Sequence, residues 1–63
     1  MDERMDWRAR RTATGLALAE VARRAGLNKG TLSMIETRRM VPTASEAEAI
    51  LTVLREAERR PAA

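Results

Sequence analysis

Gly26, Leu27 and Asn28 separate two short segments whose apolar residues recur at helical intervals, and this break constrains the chain more than any other feature. Before it, Val21, Ala22 and Ala25 share one helical face; after it, Leu32 and Ile35 do the same. Glycine adopts the left-handed conformation that ends helices at the lowest cost, so Gly26 stops the first segment and Leu27 can fold back onto it. Asn28 then restarts the chain. Its side-chain oxygen can accept from the amide of Gly30 or Thr31, which contributes about 1 kcal/mol. The stretch from Leu16 to Pro42 therefore predicts helix, tight turn, helix.

The flanks extend this pattern. Asp6 is placed to cap a first helix from Trp7 to about Ala13, anchored by Trp7 and ended by Thr14 and Gly15. The second helix is expected from about Leu18 to Ala25, and the third from Lys29 to Glu36 or Thr37. Val41 and Pro42 force an extended stretch. Thr43 with Glu46 three residues on forms a capping box that starts a fourth helix at Ala44. No Gly or Pro interrupts residues 44–60, and early Glu46 and Glu48 with late Arg59 and Arg60 suit the dipole of one rod. Its stripe of Ala47, Ile50, Leu51 and Leu54 is assigned to a core with Trp7, Leu16, Val21, Leu32 and Ile35. The expected fold class is all-α, a compact four-helix helix-turn-helix domain with a long single C-terminal helix over about 44–60. One domain is expected over residues 1–63, with the helix-turn-helix core at 16–42.

Composition narrows the chemistry. The chain has 63 residues, and a domain of that size buries only roughly 60% of its unfolded surface. It has no cysteine and no histidine, which removes the disulfide staple, the usual zinc site and most nucleophilic or acid–base pairs, so no enzyme, metal or cofactor is expected. No apolar run approaches the roughly 20 residues a bilayer needs, and MDERMDWRARR has no apolar signal core. A cytoplasmic, nucleoid-associated location is expected, with no membrane and no small-molecule ligand. Charge is uneven: residues 7–39 hold eight bases and two acids, a net +6, against −2 for residues 1–6 and −1 for residues 40–63. Positive charge concentrated on the helix-turn-helix points to phosphate contact.

Leu16 to Pro42 resembles the helix-turn-helix of phage repressor and Cro-type (lambda-repressor-like) DNA-binding regulators. The residues that carry the likeness are Glu20-Val21-Ala22, Gly26-Leu27, Asn28, Thr31-Leu32-Ser33, Ile35-Glu36, Arg38-Arg39 and Pro42. The resemblance implies binding of double-stranded DNA through the major groove. It also implies that Arg11, late in the first helix, bonds Glu36 at the end of the recognition helix and fixes the two helices against each other.

A recognition helix of this kind enters the groove by its N-terminal end, so Lys29, Gly30, Ser33 and Met34 are the candidates to face base edges. Lys29 can donate to guanine O6 and N7 or hold a phosphate as a point charge. Ser33 can donate or accept, and Met34 offers apolar contact, as to a thymine methyl. Gly30 either permits close approach of the backbone or is tolerated in a first turn, and Thr31 reaches a phosphate or packs at the turn. Backbone contacts are assigned to Asn28, Thr31, Arg38 and Arg39, and to part of the Arg23–Arg24 pair, with Arg8 and Arg10 weaker candidates.

Three departures from the family pattern matter. Ala17 and Leu18 stand where similar domains have a Ser or Thr cap and a DNA-binding Gln, and Arg38 stands where a glycine is common. A missing clamp shifts affinity toward salt-sensitive charge. The C-terminal segment is one helix instead of two, and Val53 and Ala57 widen its stripe, so Ile50, Val53, Leu54 and Ala57 are expected to form a two-fold interface unless the first helix covers that flank. The resulting expectation is a small repressor bound to an inverted repeat as a homodimer. An antitoxin-like protein-binding regulator and an excisionase-like recombination accessory factor are the alternatives.

Overall fold

The computed structural model describes residues 6–60; residues 1–5 and 61–63 of the domain expected over 1–63 lie outside the described residues. Four helices follow one another: α1 (Trp7–Thr14), α2 (Leu18–Ala25), α3 (Lys29–Glu36) and α4 (Ala44–Arg59), with no strand among the described residues. The fold is all-α and compact, and the long last helix is unbroken over its 16 residues. At 1.5 Å per residue it runs about 24 Å.

Each boundary has a local cause. The Asp6 carboxylate accepts from the Ala9 amide at 3.4 Å, and Asn28 Oδ1 accepts from the Gly30 amide at 2.7 Å. At the head of α4 the Glu46 amide donates to Thr43 Oγ1 at 3.1 Å while the Thr43 amide donates to Glu46 Oε1 at 2.9 Å, the reciprocal pair expected from the sequence. Helix α2 begins at Ala17 with no side-chain cap. Its far end is closed by Gly26 at φ 73°, where the Leu27 amide reaches back to the Ala22 carbonyl at 2.8 Å.

Helices α1 and α2 each pack on both α3 and α4. The core joins Trp7 of α1, Val21 and Ala22 of α2, Leu32 and Ile35 of α3, and Ala47, Ile50, Leu51, Val53 and Leu54 of α4. Leu16, Leu18, Ala25, Leu27 and Met40 pack against its rim. Leu32 and Leu54 are fully enclosed, and truncating either to alanine would cost on the order of 2–5 kcal/mol.

This packing bears on the residues expected to form a two-fold interface. Ile50 is 1% exposed and Leu54 0%, Val53 is buried at 8%, and Ala57 is half-buried. The flank of α4 that carries them is covered within the one chain, where α2 and α1 both pack on α4 and Val21, Ala22 and Trp7 join the same cluster. A second copy could reach Ile50 or Leu54 only by opening the core.

Candidate nucleic-acid interface

The recognition helix is held at its C-terminal end by a single arginine. Arg11 Nε donates to Glu36 Oε2 at 2.7 Å and its Nη2 to Glu36 Oε1 at 3.2 Å, a fork-to-fork pair in which the Glu36 side chain is only 5% exposed. The third arm of the guanidinium, Nη1, donates to the Leu16 carbonyl at 2.9 Å. Arg11 therefore joins the end of α3 to the segment leading into α2, and Thr14 steadies that segment by donating to the Arg11 carbonyl and accepting from the Leu16 amide. The Arg11–Glu36 pair was expected from the family likeness. Its backbone partner was not, since nothing in the sequence marks a carbonyl.

Anchored there, α3 turns its other end to solvent. Lys29, Gly30 and Met34 are exposed, Thr31 and Ser33 half-buried, and Leu32 and Ile35 face the core. Asn28 is exposed, but its Oδ1 is spent on capping, which leaves the amide nitrogen as its outward donor. A Cβ on Gly30 would meet that cap oxygen at 3.2 Å. Room for the cap thus joins the two earlier reasons for a glycine at this position.

The chain leaves α3 through Arg38, a non-glycine residue at φ 63°. The Arg39 amide bonds the Met34 carbonyl at 2.8 Å and the Arg38 amide bonds that of Ile35 at 3.1 Å, so the helix ends in the closing motif that glycine normally supplies. An arginine in this conformation costs on the order of 1 kcal/mol relative to glycine. Both Arg38 and Arg39 are exposed, next to exposed Val41.

The remaining cations fall into two groups. Arg23 and Arg24 share one carboxylate: both donate to Glu20 Oε2, Arg24 Nε at 2.6 Å. Hydrogen bonds from Arg23 first, and then from Arg24, hold the Glu20 carboxyl below its ordinary range, and Glu20 in turn raises Arg23. Arg24 lies over the groove between α2 and α4, lined also by Ala49, Thr52, Val53 and Glu56. Arg10 is tied to Glu58 near the end of α4 at 3.0 and 2.8 Å, whereas Arg8 is exposed. The Glu20 fork was open to discovery by its i+3 and i+4 spacing; the Arg10–Glu58 pair, 48 residues apart, had no local signal. Leu18 is half-buried against the core, so at the position of the missing clamp it packs inward.

Among the described residues no group of acidic side chains could hold a metal ion, and no helix is long and apolar enough to cross a membrane. What the geometry does define is a helix-turn-helix: a short helix with an exposed outer face, seated on a second across a glycine turn, with cations on both flanks. The helix-turn-helix domain family matches residues 8–62, nearly the whole chain, and the chain belongs to that family. Comparison with curated proteins and with solved structures gives no significant match.

Proposed function

We propose that this chain is a sequence-specific transcriptional regulator, a small phage- or prokaryote-type repressor of the Cro-like kind that occupies an inverted-repeat operator as a homodimer. The observation that carries the reading is the outward presentation of Lys29, Gly30 and Met34 on a helix whose far end is locked by Arg11 and Glu36. In this reading Lys29 donates to a guanine edge, Ser33 and Met34 add contacts one turn on, and Gly30 lets the helix backbone approach. Asn28 through its amide nitrogen, Thr31, Arg38, Arg39 and Arg23 hold phosphates, with Arg24 secondary because it lies toward α4. In this reading the action is steric: the bound domain excludes polymerase.

So few base-reading side chains give modest specificity, and two copies reading successive major grooves about 34 Å apart would supply the rest. Because Ile50 and Leu54 are enclosed, the second copy meets the first elsewhere, or only on DNA. Selection from a random duplex library tests the whole reading. An inverted repeat one helical turn between half-site centres, bound by two chains in sedimentation, is the expected outcome; a direct or unpaired site bound by one chain would sink the dimer. Affinity should also fall about a thousandfold between roughly 50 and 200 mM salt if a handful of phosphates are held. A flat salt response would remove the cations from the interface.

A further inference from the structure

Glu20 sits on the outward ridge of α2, opposite Val21 and Ala22 in the core, with an arginine to either side of it. A rotation of about 100° per residue sets Arg23 and Arg24 on opposite flanks of that ridge, and Arg24's flank is the one facing α4. Arg23 is the most exposed partner in these ion pairs, its side chain 71% accessible, yet its guanidinium is turned back along its own helix onto Glu20. The carboxylate presents to both arginines what a DNA phosphate would present: two anionic oxygens at hydrogen-bonding distance. An i+3 and i+4 pairing at the surface is weak, so it can be exchanged for a phosphate, and the exchange has to be completed before either arginine counts toward binding.

We propose that Glu20 limits the DNA affinity of this domain by occupying Arg23 and Arg24 as an intramolecular substitute for phosphate. The effect falls on phosphate contact, which rests on charge, and leaves base reading by α3 untouched. Operator and random-sequence complexes share these phosphate contacts, so Glu20 weakens both by a similar factor. The inference rests on the DNA-binding reading above.

The test compares the wild-type chain with Glu20→Gln, which keeps the shape and hydrogen-bonding capacity of the side chain but removes the charge. Binding to a random-sequence duplex is followed by fluorescence anisotropy across a salt series. Glu48→Gln, on the exposed side of α4, makes the same change in net charge with no arginine released. Expected are a several-fold tighter Glu20→Gln complex, a log–log salt slope steeper by about one, and no such gain for Glu48→Gln. Adding Arg23→Gln to Glu20→Gln should remove most of the gain. Equal gains for the two glutamine variants, or a gain that survives Arg23→Gln, would overturn the role of Glu20. A wild-type chain that binds no duplex even at low salt would overturn the DNA-binding reading itself, a distinguishable result.

Discussion

At the scale of single residues, Arg38 is where the proposed function and stability would pull apart. Its φ of 63° is the value at which glycine closes a helix without strain, so Arg38→Gly should raise thermal stability by about 1 kcal/mol while weakening DNA binding. Paired melting and binding curves check both signs, and a variant that loses stability would show that the Arg38 side chain supports the fold. Glu36 is the opposite case. Glu36→Gln leaves the Arg11 guanidinium without its carboxylate in a largely enclosed site, at a cost of about 2 kcal/mol and on the order of 10 °C in Tm. The partners Arg11 and Glu36 were legible because a family likeness fixes both positions at once. Arg38 was legible as a departure from the pattern but not as a backbone conformation, since its left-handed φ follows from the carbonyls of Met34 and Ile35, which any sequence supplies.

At the scale of elements, boundaries could be read wherever a side chain enforces them. Asn28, Gly26, and Thr43 with Glu46 act on backbone groups within three or four residues, so their residue types alone set the ends of α2, α3 and α4. The start of α2 is the exception that invites repair. Ala17 leaves the first amides of that helix without a side-chain acceptor, and Ala17→Ser should stabilise the protein by about 1 kcal/mol, read as a higher midpoint in urea. What could not be read was which flank of α4 meets which neighbour. Ile50, Val53, Leu54 and Ala57 follow the same spacing whether helices of this chain or a second chain cover them, and only the placement of α1 and α2 decides it.

At the scale of the whole molecule, the chain is closed by a link that joins its first and last helices. Arg10 holds the Glu58 carboxyl below its usual range, chiefly through their hydrogen bond, and the pair fastens α1 to the end of α4. A carboxyl whose pKa is lower folded than unfolded contributes stability above the unfolded value, and that contribution is lost as the pH falls through the folded one. Melting temperature should therefore drop on acidification below the ordinary carboxylate range, with Glu20 adding in the same direction. Glu58→Gln should flatten part of that decline and leave the plateau near neutrality slightly lower. An unchanged acid limb would show that the pair contributes nothing, as is common for ion pairs this exposed.

The three-way grip of Arg11 also decides how the protein fluctuates. With its C-terminal end tied to α1 and to the segment before α2, the recognition helix cannot fray from that side without releasing both, so the amides near Ile35 and Glu36 should exchange hydrogen only when the whole unit opens. At its other end the first free amides have one side-chain acceptor, Asn28 Oδ1. Under the proposed function, the end set against a base pair is thus the end expected to open first, and Lys29 and Gly30 could adjust to a groove while the rest of α3 keeps its place.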